Sequence, residues 1–174
     1  MTTKELTEKG AIYFSQLKTG LSQYQNKAVV MGQEEAYHFF LEKQQKEYPQ
    51  NAYADFYYFC LPKEARQKAD AVLGKEELLY LKQLGETIGQ KEPIAGAEEF
   101  QKEPIAEAEE IIFPLEERLL WIITKLNQTE LLFSTIYFTG EKGKRSTWWG
   151  NYGEEYLVFW EKRASLEKRE NLEG

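Results

Sequence analysis

Leu131-Leu132-Phe133-Ser134-Thr135-Ile136-Tyr137-Phe138-Thr139 is a run of apolar, aromatic and β-branched residues, followed by Ser146-Thr147-Trp148-Trp149-Gly150 and Tyr156-Leu157-Val158-Phe159-Trp160-Glu161. Side chains on a strand alternate between its faces, so Leu132, Ile136 and Phe138 share one face and Leu131, Phe133 and Tyr137 the other. Residues 140–144 and Asn151-Tyr152-Gly153 bring glycine and asparagine to the joins, where chain reversal needs backbone angles that other residues resist. The three runs predict an antiparallel three-stranded meander. Its rings point both ways: adjacent Trp148 and Trp149 cannot enter the same core, so one of them needs cover from a helix, a second subunit or a ligand.

Helices to supply that cover are present upstream. Thr2 and Glu5 have the spacing of a capping box, and Phe14, Leu17, Leu21 and Tyr24 recur at helical intervals. Residues 3–25 therefore read as mainly helical, with Gly10 and Gly20 as points where the helix can break. Ala28-Val29-Val30-Met31 reads as a short strand ended by Gly32. Residues 33–47 form an amphipathic helix with Tyr37, Phe40 and Leu41 on one side, closed by Tyr48-Pro49. The aromatic run from Tyr53 to Leu61 fits a strand or a buried helical turn. Residues 63–72 and 75–88 are expected to be helices, as is the stripe Leu115, Leu119, Ile122, Ile123 and Leu126 after Pro114.

The class that follows is α+β: N-terminal helices with one or two short strands, then a helix and a C-terminal three-stranded antiparallel meander. Residues 1–163 form one domain, a size at which a chain of 174 residues builds a single core, and residues 164–174 fray. Within it, Gln90–Phe100 and Gln101–Ile111 are a tandem duplication of eleven residues that differs only at Gly96/Glu107 and Phe100/Ile111. A packed element does not readily absorb eleven extra residues without losing register, so residues 90–112 are expected to be an exposed acidic arm. Pro104 opposes one continuous helix through both copies.

Residues 91–117 hold nine glutamates against two lysines, which accounts for the whole net charge of −7 and leaves 20 basic and 20 acidic residues elsewhere. A neutral body with an acidic arm repels nucleic acid and anionic lipid and favours a protein partner or self-association. The longest uninterrupted apolar run, Phe56 to Leu61, is six residues, against the ~20 needed to span a bilayer. One cysteine and an N-terminus without a basic-then-apolar leader indicate the cytoplasm.

No catalytic set, cofactor fingerprint or metal-ligand pattern emerges. His38 is the single histidine and lies between Tyr37 and Phe39 on a helix, so no relay can be assembled around it from the sequence. One histidine and one cysteine fall short of the usual zinc set. Cys60, between Phe59 and Leu61, reads as a small buried hydrophobe. Gly140-Glu141-Lys142-Gly143-Lys144-Arg145-Ser146 has the wrong glycine spacing for a phosphate loop and joins two strands. The leading expectation is a non-enzymatic cytoplasmic module that binds or regulates a protein through the aromatic sheet, the acidic arm or both. A small-molecule or nucleotide site built from Trp148, Trp149 and Tyr152 with Lys142, Lys144 and Arg145 is the alternative. A third reading is an enzyme with a pocket of glutamate and tyrosine.

Overall fold

The computed structural model describes residues 1–87 and 111–161. Its strands are β1 (Gln25–Val30), β2 (Ala52–Asp55), β3 (Ile112–Pro114), β4 (Thr135–Phe138), β5 (Ser146–Gly150) and β6 (Glu155–Trp160). The helices are α1 (Thr3–Glu8), α2 (Leu17–Gln23), α3 (Gln33–Glu47), α4 (Lys63–Val72), α5 (Lys75–Thr87) and α6 (Glu117–Gln128), with a 3-10 turn at Tyr57–Cys60. The expected meander is present as β4-β5-β6, with Ile136 opposite Trp148 and Trp148 opposite Val158. It is the middle of a larger object. The sheet has six strands, all antiparallel, in the order β1-β6-β5-β4-β2-β3, so the meander keeps its three strands and is joined by three others where one or two short ones were expected. Both outer edges of a bare meander expose unpaired backbone groups; here β1 takes the β6 edge, and β2 and then β3 extend the β4 edge.

The aromatic run at 53–61 resolves into both of its candidate structures. Ala52–Asp55 is buried strand, and the chain then tightens into the 3-10 turn. Arg66 on α4 holds that turn: its guanidinium donates to Phe59 O at 2.5 Å and lies 5.3 Å from the Tyr58 ring centroid. A 3-10 turn repeats every three residues, so Tyr57 and Cys60 point the same way, and both are exposed. The expectation that Cys60 is buried is therefore wrong: a helical repeat at this spot turns it outward, where a strand would have alternated it.

Residues 3–25 are also corrected, from one mainly helical stretch to two short helices divided by extended chain. The capping box forms as expected, Glu5 N–H donating to Thr2 Oγ1 at 3.1 Å and Thr2 N–H to the Glu5 carboxylate at 2.8 Å. The break is at Gly10, whose φ of +85° is left-handed and whose α-carbon sits against the Gly140 carbonyl, with no room for a side chain. Gly20 does not break α2. It lies under the Phe14 ring, which a Cβ would meet at 2.5 Å.

These elements cover both sheet faces. On one, Phe40 of α3 and Leu119, Ile122, Ile123 and Leu126 of α6 pack with Ile136, Phe138, Trp148 and Tyr156. On the other, Leu6 and Ala11 cover Tyr53 and Tyr137, while Ile12 and Phe14 cover Phe159. Thr147 Oγ1 donates to Ile12 O at 2.6 Å and ties the extended segment to β5. The acidic repeat, apart from Ile111, and the tail from residue 164 lie outside the described residues.

Candidate functional site

Among the described residues, the strongest convergence of polar groups and rings in an open cavity is between α3, α5 and α6. The sequence builds it from a cap. Gly74 leaves the first turn of α5 without a side-chain N-cap, and Glu77, three residues on, accepts from the Gly74 N–H. That turns the Glu77 carboxylate toward α6, where Trp121 Nε1 donates to it at 2.7 Å and Lys125 Nζ at 2.9 and 3.1 Å. Burial pushes Glu77 up, but the bonds from Gly74, Lys125 and Trp121 outweigh it and hold the carboxyl below its ordinary range. With its acceptors engaged and its charge fixed, Glu77 clamps α5 to α6 and is a poor proton carrier.

Above this clamp opens a cleft of about 660 Å³, lined among others by Tyr37, Glu76, Tyr80, Glu117, Arg118 and Trp121. The Tyr37 ring meets Trp121 edge-on at 5.1 Å, and Tyr37 Oη donates to Glu117 at 2.8 Å. Burial, then the neighbouring Glu117, raises the Tyr37 phenol. Tyr80 is pushed to about 12, first by burial and then by Glu116, to which its hydroxyl donates at 3.4 Å. Both phenols therefore stay protonated and point their hydrogens at carboxylates. The cleft offers neutral rings beside glutamates that have acceptor capacity to spare, which is the environment a cation prefers. Glu76, Glu77 and Glu117 face Arg118 and the Lys125 paired to Glu77, so the opening is net negative, and Glu116 at its edge adds to that.

The residues expected to form a ligand site on the sheet lie elsewhere and are not gathered into one place. Trp148 is buried on the α3 face between Phe39 and Phe40, with ring centroids 5.0 and 5.3 Å away. Trp149 faces the opposite side and stacks nearly parallel on Phe14 at 5.8 Å. Trp148 is thus enclosed among the chain's own side chains, and half-buried Trp149 has one ring face against Phe14. Arg145 is committed too, pairing with Glu161 at 2.5 Å and donating to Gly10 O at 3.2 Å. Lys142 and Lys144 are exposed on the hairpin, and Tyr152 is exposed at the next turn, edge-on to Phe133 at 4.7 Å.

No protein-family model matches the chain, and no characterised protein and no solved structure is significantly similar to it. Among the described residues no group of three or more His, Cys, Asp or Glu is placed to hold a metal, and no helix is long and apolar enough to cross a membrane.

One buried carboxylate stands apart from the cleft. Asp55 ends β2, accepting from Thr135 N–H at 2.6 Å and from Tyr137 Oη at 3.4 Å. Burial raises it to about 6 in spite of those bonds, and its charge in turn lifts Tyr57 and Tyr137, after burial has done most of that work. A folded pKa above the unfolded value of 3.8 means that Asp55 favours the fold at low pH and loses that contribution as pH rises from about 4 to about 6. The Asp55→Asn variant should therefore gain on the wild type across this window, reaching about 2 to 3 kcal/mol at neutral pH. Urea midpoints measured every half pH unit would read the difference; a constant difference from pH 4 to 7 would show that Asp55 does not titrate there.

Proposed function

We propose that this chain is a non-enzymatic protein-binding module that takes a lysine or arginine side chain of its partner into the cleft between α3, α5 and α6. The observation that carries the reading is the pairing of the Tyr37, Tyr80 and Trp121 rings with the Glu76, Glu116 and Glu117 carboxylates around one opening. A cation entering it meets ring faces and carboxylate oxygens together, an arrangement worth about 0.5 to 2 kcal/mol from the rings alone. Leu79, a large apolar side chain 57% exposed at the rim, gives the rest of the partner's surface an apolar contact. An enzyme is the weaker reading of the same Glu and Tyr groups, because Glu77 is locked in its charged form and both phenols are locked in their neutral form. The lone thiol of Cys60, exposed and without a second cysteine, suits a reducing compartment, so we place the module in the cytoplasm.

A labelled lysine- and arginine-rich peptide, followed by fluorescence anisotropy, tests this. It should bind in a salt-sensitive way, and the Glu76→Gln/Glu117→Gln double variant should weaken it about tenfold, a loss of about 1.4 kcal/mol. The seven glutamates of residues 91–110 attract the same peptide diffusely, so the change caused by the variant, and not binding alone, decides the matter. Equal affinity for variant and wild type removes the cleft from the mechanism.

A further inference from the structure

The two edges of the sheet are treated differently. At one, β3 is three residues long and ends in Pro114, which has no N–H to offer a neighbour. At the other, β1 is six residues long, contains no proline, and has five of its six residues exposed. Its backbone polarity follows from its register. Met31 N–H donates to Glu154 O at 3.0 Å, and the pairing steps back from there through Val30 opposite Glu155 to Gln25 opposite Trp160. Every second residue of an antiparallel ladder exchanges its bonds with the partner strand. Val29, Lys27 and Gln25 therefore bond to β6, while Val30, Ala28 and Asn26 turn their N–H and C=O groups away from the sheet. Among the described residues no strand receives them.

We infer that β1 pairs with β1 of a second copy of this chain, antiparallel about a two-fold axis at Ala28, joining two six-stranded sheets edge to edge. The strand's own sequence selects this occupant. With Ala28 opposite its symmetry mate, Asn26 falls opposite Val30, so all three outward-facing residues on each strand find partners and none is left over. Lys27, the one charged residue of β1, then lies opposite Val29 and not opposite the second Lys27, which avoids the like-charge pairing that opposes association. Val30, 64% exposed, adds apolar surface at the seam. A single strand-to-strand seam lies at the small end of protein interfaces, below about 1,200 Å², so the dimer is weak and forms with rising concentration. This contact is independent of the cleft.

Sedimentation and light scattering of the full chain over a concentration series test the inference. The wild type should approach twice the monomer mass at the highest concentrations, and Ala28→Pro should lower association at least tenfold. Proline there removes an outward-facing N–H and no bond to β6, so circular dichroism and the melting temperature should stay close to wild type. A second measurement decides the case even if that variant fails to fold. Residues in a hydrogen-bonded antiparallel pair have α-carbons about 5.5 Å apart, within the reach of a disulfide. In a Cys60→Ser background, A28C should give a covalent dimer on mild oxidation, and K27C, whose symmetry mate lies out of line, should not. A wild type that stays monomeric at every concentration, or K27C cross-linking as readily as A28C, overturns the proposal.

Discussion

Phe40→Ala should cost about 3 to 5 kcal/mol, a large part of the stability of a domain this size. Phe40 is fully buried on α3, and its ring centroid lies 5.2 Å from Phe39, 5.3 Å from Trp148, 5.2 Å from Tyr156 and 6.3 Å from Phe138. Three of those partners stand on β4, β5 and β6, so one side chain joins the helix to the whole expected meander. Truncation removes the transfer free energy of the ring and leaves a cavity whose walls belong to different elements and cannot close together. Urea denaturation should show a lower midpoint with an unchanged slope, and the near-ultraviolet signal of Trp148 should weaken in the native baseline. Phe40→Leu, which keeps most of the volume, should recover more than half of the loss. A cost below 1 kcal/mol for Phe40→Ala would mean that α3 does not seat on the sheet as described.

The same residue shows how far the sequence could be read. Phe40 with Tyr37 and Leu41 marks the inner face of α3 by helical period alone, and β5 begins and ends where its turn residues place it. Period and turn chemistry are local, so they survive without knowledge of partners. Strand pairing is not local. Nothing in Gln25–Val30 states that it will lie against β6, and Ile112-Phe113-Pro114 is too short to carry a period, so three of the six strands could not be assembled into the sheet from sequence. The helical period over residues 3–25 runs past the real helices because Phe14 fits a helical stripe as well as the segment between α1 and α2 from which it covers Trp149.

The cleft was invisible for a related reason. Glu117, Trp121 and Lys125 follow one another at intervals of four on α6, and that spacing is the signal that put them on one face. Tyr37 and Tyr80 come from α3 and α5, distant in the chain, and only tertiary packing brings their hydroxyls to Glu117 and Glu116. Conversely, the adjacent tryptophans announced themselves in sequence because bulky rings are conspicuous. The burial of Trp148 against Phe39 and Phe40 and the packing of Trp149 on Phe14 are the ordinary consequence of a sheet covered on both faces.

Gly150→Ala should destabilise the fold by about 3 kcal/mol or more, although it adds a single methyl group. A Cβ at the end of β5 would lie 2.9 Å from the Ser134 carbonyl oxygen and would overlap Oδ1 of Asn127. Neither neighbour can yield. Ser134 O accepts from Gly150 N–H at 3.1 Å, a bond that helps hold the chain entering β4 beside β5, and Asn127 is 1% exposed at the end of α6. Moving Asn127 would disturb the buried face of α6, including Ile123 and Leu126, while moving Ser134 would break the bond to β5. The cost comes from close backbone approach and not from the glycine's own angles, since Gly150 is not in the left-handed region. Gly32→Ala makes the comparison. There a Cβ meets nothing nearer than a Glu154 side-chain oxygen at 3.9 Å, so that variant should lose no more than about 1 kcal/mol. Paired thermal melts of the two variants read the contrast directly; similar melting temperatures would mean that α6 and β5 do not meet at Asn127 and Gly150.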